Sequence, residues 1–163
     1  MGSRPARPAT GGPPAAARPS PGPVSVSPMR TRPGAAGSAS LVVAEADTAP
    51  AAGSGEVPVL ATPRLLALCE QATLAAVAPF LTEGETTVGS RVELAHLAPS
   101  PPGASVEAAA VLVGIDGNRL TFLVTARQGD RVVGRGTIER VVVDRARFIA
   151  RVARSTDEPA GSE

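Results

Sequence analysis

The sequence predicts an α+β fold in which one helix packs against an antiparallel sheet, and three observations carry this prediction. Residues 63–78 are mostly Leu and Ala, without glycine, and have the length of a buried helix. Four later segments alternate with a period of two, which is typical of half-buried strands. A strand, a helix and then a series of strands joined by turns is an α+β order of elements.

Length and composition limit the function classes. The chain has 163 residues, which is enough for one domain with one active site. Its formal net charge is +1 and it has no Trp or Tyr, so nucleic-acid binding is disfavoured. The single Cys69 and single His96 exclude an internal disulfide and a His/Cys zinc site. We expect no metal, no cofactor and no membrane span, because nucleotide-binding motifs and long apolar windows are missing.

The composition divides the chain into three parts. Residues 1–38 contain nine Pro, six Gly and seven Ala, so they cannot bury enough apolar surface to fold and are predicted to be disordered. Residues 39–154 form the predicted domain, whose core is aliphatic. Residues 155–163 carry three acids and one Pro and are predicted to be a second disordered tail.

The first elements are a strand over residues 41–45, a Pro- and Gly-rich loop over 48–55, and the helix. Thr62 is predicted to be the N-cap of the helix, with Pro63 at its first position. The helix ends near Ala78, before Pro79. Because it is apolar on nearly all sides, we expect the sheet to enclose it.

The four later strands are predicted to form an antiparallel meander. The first contains Val88, Val92, Leu94 and His96 on one face, and residues 99–103 end it. The others span 104–115, 120–128 and 131–143, and turns at 116–117 and 128–130 join them. An uninterrupted pleat places Gly89 on the face opposite His96, so Gly89 would contribute a close backbone approach and no side chain.

Glu70 is the unusual residue of the predicted helix. The residues three and four positions away are mostly apolar, so Glu70 lies on an apolar stripe. A carboxylate buried there costs several kcal/mol unless it is paired or protonated. Two interpretations stay open: Glu70 is a catalytic base or nucleophile, or the helix turns it toward solvent.

Other reactive side chains also have two interpretations. His96 is either a structural core residue or faces Glu70, and Thr62 is either only a cap or lies at a helix terminus that binds an oxyanion. Cys69 is interpreted as a buried structural thiol, since no sharp turn presents it as a nucleophile. The arginines of the C-terminal stretch form a solvated basic face or meet substrate phosphates; they are Arg145, Arg147, Arg151 and Arg154.

Short motifs along most of the domain carry a resemblance to a known family. The motifs are Val59-Leu60-Ala61-Thr62-Pro63, Cys69-Glu70-Gln71-Ala72, Ala78-Pro79-Phe80-Leu81, Thr87-Val88-Gly89, His96-Leu97-Ala98, Pro101-Pro102-Gly103 and Ile138-Glu139-Arg140-Val141-Val142. Together they resemble the hotdog-fold thioesterases related to fluoroacetyl-CoA thioesterase. The match runs in order from about residue 41 to 154 and includes the spacings.

The resemblance implies a hotdog fold, in which an antiparallel sheet of about five strands wraps one long helix. It also implies a homodimer, open to further assembly as a dimer of dimers, with acyl-CoA sites at the subunit interface. The family's catalytic hydroxyl, carboxylate and imidazole fall on Thr62, Glu70 and His96. Its active-site glycine falls on Gly89, and an arginine of its substrate-binding region falls on Arg140.

The implied reaction is hydrolysis of an acyl-CoA thioester to the free acid and CoA. Glu70 activates water or attacks the carbonyl, while Thr62 and His96 position the thioester and helix amides bind the oxyanion. Residues 47–61 contain no aromatic residue, unlike the lid of fluoroacetyl-selective members, so we expect a short or medium acyl group. The alternatives are a non-catalytic acyl-CoA binder and an enoyl hydratase or dehydratase. The need for CoA and the lack of an export signal suggest the cytoplasm.

Overall fold

The computed structural model describes residues 32–156, in which five antiparallel strands form one sheet with a long helix on its face. The strands are β1 (Ala36–Val42), β2 (Glu85–His96), β3 (Ser105–Asp116), β4 (Arg119–Gln128) and β5 (Arg131–Asp144). The helices are α1 (Ala49–Ala52), α2 (Thr62–Val77) and α3 (Arg145–Thr156), with 3-10 turns at Glu45–Asp47 and Ala78–Phe80. The predicted α+β class is confirmed.

The strand order is β1-β3-β4-β5-β2, so the prediction of a four-strand meander in chain order is wrong for β2. Two-residue turns join β3 to β4 and β4 to β5, with Gly117 and Gly129 each at φ 58°. These three strands do form a meander. The proline-rich connection over residues 97–104 is too long for such a turn, and β2 pairs with β5 at the opposite edge from β1.

The core lies between α2 and the sheet, where α2 packs mainly against β1 and β3. Strands β3 and β4 alternate buried and exposed residues, so each contributes every second side chain to this core. Phe122 is the largest of the fully buried side chains. The sheet does not enclose the helix on all sides as expected, because Gln71 is exposed and Leu74 is 40% exposed.

The first strand begins at Ala36, earlier than predicted, and therefore includes residues 36–38 of the predicted leader. Their small side chains have a packing reason. A Cβ on Gly37 would overlap the backbone of α2 at Ala76, so only glycine lets the strand approach the helix this closely. The rest of the leader up to residue 31 and the tail from residue 157 lie outside the described residues.

The C-terminal stretch forms α3, a helix that was not predicted from the sequence. The carboxylate of Asp144 accepts the backbone N–H of Arg147 at 2.8 Å, which is how an N-cap satisfies a helix start. The Arg151 guanidinium lies 5.1 Å from the centre of the Phe148 ring. The sequence does carry a signal for this helix. Asp144 precedes it in an N-cap position, and Phe148 and Val152 follow at helical spacing.

Candidate active site

Thr62 and His96 meet at the start of α2. The hydroxyl oxygen of Thr62 lies 2.8 Å from Nδ1 of His96, a hydrogen bond between the helix and the end of β2. Thr62 is the first residue of the helix and Ala61 is the N-cap, so the prediction that Thr62 caps the helix is wrong. Because Thr62 does not cap the backbone, its hydroxyl is free to pair with the imidazole.

The environment of His96 favours a neutral ring. Burial lowers the pKa of His96 below its usual value of 6.5, and the backbone of Ala98 opposes part of that lowering. Nε2 is buried and has no hydrogen-bond partner within the described residues. His96 pairs with Gly134 of β5, and a Cβ at Gly134 would lie 2.9 Å from the Leu65 side chain of α2. This end of β2 therefore lies close to the helix. A neutral imidazole that contacts a hydroxyl can accept a proton.

Glu70 forms an ion pair with Arg140 of β5. Oε1 of Glu70 accepts a hydrogen bond from Nη1 of Arg140 at 3.1 Å. The Arg140 side chain is only 6% exposed, whereas that of Glu70 is 35% exposed. Arg140 therefore offsets the free-energy cost of burying the Glu70 carboxylate on an apolar stripe. The second carboxylate oxygen of Glu70 has no hydrogen bond within the described residues.

Thr87 of β2 holds the other side of the Arg140 guanidinium. Nε of Arg140 donates to Oγ1 of Thr87 at 2.9 Å, and Nη2 donates to the Thr87 carbonyl at 3.0 Å. Burial lowers the pKa of Arg140, and the carboxylate of Glu70 opposes that lowering. Thr87 was not among the site residues predicted from the sequence, although it lies two positions from Gly89.

Gly89 lies directly against the Glu70 carboxylate. A Cβ at Gly89 would be 2.7 Å from Oε1 of Glu70. A β-bulge shifts the register between Gly89 and Arg91, so Gly89, Val92 and His96 face the same side of the sheet. The predicted alternation to opposite faces is therefore wrong.

The five predicted site residues form two groups within one chain. Thr62 and His96 meet at the start of α2. Glu70 lies farther along α2, where Arg140 and Gly89 contact it. Glu70 lies eight positions after Thr62, which corresponds to about 12 Å along a helix axis. One chain therefore does not bring the hydroxyl, the imidazole and the carboxylate to a single point.

Cys69 does not belong to either group. Its side chain is fully buried in the core, and burial raises its pKa to about 11. A thiol in this state is not a nucleophile at neutral pH, which agrees with the structural interpretation.

Two further observations concern residues 32–156. No group of three or more His, Cys, Asp or Glu side chains there is arranged to hold a metal ion. None of the helices in this part of the chain is both long and apolar enough to cross a membrane.

Comparisons with known proteins find relatives over most of the described residues. A family model for fluoroacetyl-CoA-specific thioesterases matches residues 43–146. The fluoroacetyl-CoA thioesterase of Streptantibioticus cattleyicolor is 39% identical over 103 residues, which are 63% of this chain and 73% of that protein.

Solved structures show the same fold. A structure of fluoroacetyl-CoA thioesterase has a TM-score of 0.72 at 32% identity, and covers 79% of this chain and 98% of its own. A thioesterase superfamily member from Thermus thermophilus has a TM-score of 0.73 at 32% identity, with 79% and 96% covered. A hot-dog-like protein from Thermanaerovibrio acidaminovorans has a TM-score of 0.69 at 25% identity, with 80% and 94% covered. The fold is therefore the hotdog fold.

Proposed function

The chain belongs to the fluoroacetyl-CoA-specific thioesterase family and is therefore a thioester hydrolase that acts on acyl-CoA; we propose that it cleaves short or medium acyl chains at a site formed by two copies of the chain. The observation that carries this proposal is the half-exposed Glu70 carboxylate, which Arg140 holds by one oxygen while the other has no partner within the described residues. A fixed carboxylate with a free oxygen is suited to general-base catalysis.

In the proposed reaction, Glu70 removes a proton from a water molecule whose oxygen adds to the thioester carbonyl. The carbon–sulfur bond then breaks, the carboxylic acid forms, and the CoA thiolate takes up the proton that Glu70 removed from water, which restores the Glu70 carboxylate. The hydroxyl of Thr62, paired with the neutral imidazole of His96, lies beside the start of α2. There the hydroxyl and the positive end of the helix dipole would stabilise the negative charge that develops on the carbonyl oxygen.

Strand β2 supports assembly into a homodimer. It is an edge strand of 12 residues, and residues 89–93 are all exposed. A long exposed edge is a template for pairing with another chain. If β2 pairs with its copy across a two-fold axis near Val92, His96 of one chain lies close to residues 87–89 of the other. The Thr62–His96 pair of one chain would then face Glu70 of its partner.

The acyl group is proposed to be short or medium rather than fluoroacetyl alone. The segment between Asp47 and Leu60 is closed by a backbone bridge from Thr48 to Leu60 and contains no aromatic residue. We propose that this segment borders the acyl end of the site, where the lack of a bulky ring would leave room for chains longer than acetyl. We place the enzyme in the cytoplasm, where acyl-CoA is available.

Free-thiol release from a panel of acyl-CoAs, from acetyl to decanoyl with fluoroacetyl included, tests the reaction. We expect turnover by the native protein and a loss of about 100-fold or more in Glu70→Gln. The control Glu107→Gln changes an exposed carboxylate of β3 and should keep native activity. Binding of CoA without thiol release would favour the non-catalytic binder, and formation or consumption of an enoyl-CoA would favour the hydratase. Either result contradicts the proposed hydrolysis.

Mixing two inactive variants tests the shared site. A heterodimer of Glu70→Gln with His96→Ala contains one site in which neither residue is changed, provided that the two residues come from different chains. We therefore expect activity to return toward one quarter to one half of native activity after subunit exchange. No recovery, with exchange verified by mass spectrometry, would show that both residues act within one chain.

A further inference from the structure

Every nitrogen of the Arg140 guanidinium has a partner, and two of the three partners belong to Thr87. Nε donates to the Thr87 hydroxyl at 2.9 Å, Nη2 donates to the Thr87 carbonyl at 3.0 Å, and Nη1 donates to Glu70 at 3.1 Å. Thr87 and Arg140 are each 5% exposed. The guanidinium is therefore a buried connector between β2 and the carboxylate on α2.

We infer that Thr87 is a positioning residue of the hydrolase, which acts through Arg140 to fix the reactive carboxylate of Glu70. This inference rests on the proposed function of Glu70 as the base. Thr87 itself does not touch substrate, since its hydroxyl and its carbonyl are both directed at Arg140. Its part is to determine where the guanidinium lies and hence where the Glu70 oxygens lie.

The geometry explains why one contact would not suffice. An arginine side chain is long and flexible, so a single hydrogen bond leaves its planar head free to turn. Two acceptors on the same residue, one from the side chain and one from the backbone, fix both the position and the plane of the guanidinium. Nη1 is then directed at Oε1 of Glu70, the same oxygen that lies against Gly89.

Because this location is buried, the Thr87 hydroxyl is the acceptor that Nε of Arg140 depends on. Valine has nearly the shape of threonine and favours strands equally, but it would leave Nε of Arg140 as a buried donor without an acceptor. The guanidinium would turn to find another partner and would carry the Glu70 carboxylate with it. Displacement of a catalytic group by about 1 Å can reduce the rate by roughly 100-fold.

Steady-state kinetics of Thr87→Val, Thr87→Ser and the control Thr125→Val test the inference. Thr125 is a half-buried threonine of β4 between the buried Val124 and Ala126, so it lies on the face of the sheet away from α2 and reports the general cost of removing a hydroxyl. We expect Thr87→Val to lower kcat roughly 10- to 100-fold with KM within about twofold, because the substrate is bound but the base is misplaced. Thr87→Ser, which restores the hydroxyl, should recover most of kcat.

The Glu70 carboxyl carbon provides a readout that does not depend on turnover. In protein labelled with 13C at the glutamate carboxyl carbon, Glu70→Gln identifies the signal, and we expect Thr87→Val to shift it while Thr125→Val does not. An unshifted signal and an unchanged kcat in Thr87→Val would overturn the inference. If Thr87→Val shifts the signal but the native protein hydrolyses no acyl-CoA, the proposed function is overturned while the action of Thr87 on Glu70 through Arg140 is established.

Discussion

Gly89 and Glu70 are in direct contact across the gap between β2 and α2, with room for a carboxylate oxygen but none for a methyl group. A Cβ at position 89 would lie 2.7 Å from Oε1 of Glu70, and Arg140 prevents that oxygen from moving away freely. Gly89 is outside the left-handed φ region, so the glycine is required by space and not by backbone conformation.

We therefore expect Gly89→Ala to reduce kcat by roughly 10- to 100-fold because the new methyl group displaces the carboxylate. The unfolding free energy should change by less than about 1 kcal/mol, since the displaced group is partly exposed. The matched control is Gly114→Ala in β3, where a Cβ would meet Thr121 at an ordinary 3.4 Å. Equal activity of the two variants would show that the contact with Glu70 has no part in catalysis.

The positions of most elements could be predicted because they depend on local periodicity. Alternation locates β3, β4 and β5, and Thr62-Pro63 and Pro79 bracket α2 to within one residue. The pairing of β2 with β5 could not be predicted, because a long loop carries no information about which edge the strand joins. The small residues before position 39 were assigned to the leader, although Gly37 is small because it contacts the helix.

The site was predictable in its residue types but not in its geometry. The contact between Thr62 and His96 joins residues 34 positions apart, which no local pattern reveals. The alternation of Val88, Ser90 and Val92 looks unbroken in the sequence, yet the bulge lies within it. The Ser90 hydroxyl donates to the carbonyl of Glu139 at 3.2 Å and so satisfies a backbone group at this irregularity.

His96 should titrate below its usual value of 6.5 in the folded protein, because burial disfavours the charged ring. It is the single histidine of the chain, so its ring proton signal can be followed by NMR without overlap from other histidines. We expect a midpoint below 6.5 in the native protein and near 6.5 in urea. A native midpoint at or above 6.5 would contradict the neutral imidazole that we assign to the site.

The same shift predicts a pH dependence of stability. Because the unfolded chain binds the proton more readily than the folded one, the contribution of His96 to stability is complete above about pH 6.5 and is lost as the pH falls through the folded pKa. Urea unfolding at a series of pH values gives the unfolding free energy of the native protein and of His96→Gln. Plotted against pH, the two free energies should differ in slope only below about pH 6.5. Parallel curves would mean that the ring titrates alike in both states.

Cys69 should not react with thiol reagents in the native protein. Its side chain is fully buried and its pKa is raised to about 11, so almost no thiolate is exposed near neutral pH. We expect Ellman's reagent to detect one thiol per chain only after unfolding, and iodoacetamide to leave thioesterase activity unchanged. Rapid labelling together with loss of activity would place the thiol within reach of the substrate and contradict its assignment to the core.

Asp47 connects the segment before α2 to the first turn of that helix. Its carboxylate accepts the Arg64 Nε–H at 2.6 Å and the Ala44 N–H at 2.9 Å, and its carbonyl accepts the Ala61 N–H. Ala61 precedes Thr62, so these contacts hold the helix start that presents the hydroxyl to His96. The Ala44 hydrogen bond and the Arg64 guanidinium lower the pKa of Asp47, although burial opposes them.

Asp47→Asn should therefore reduce the unfolding free energy near neutral pH by about 1–2 kcal/mol, since the amide loses the charge-assisted contacts. The folded pKa lies below the usual 3.8, so this contribution is complete above about pH 3.8 and is lost as the pH falls through the folded value. The difference between native protein and variant, measured by urea unfolding, should shrink in acid. The exposed Asp130→Asn is the control, because its side chain lies in the β4–β5 turn. A variant as stable as this control would mean that the turn over Glu45–Asp47 holds the helix start without the carboxylate, and that the backbone contact with Ala61 is sufficient.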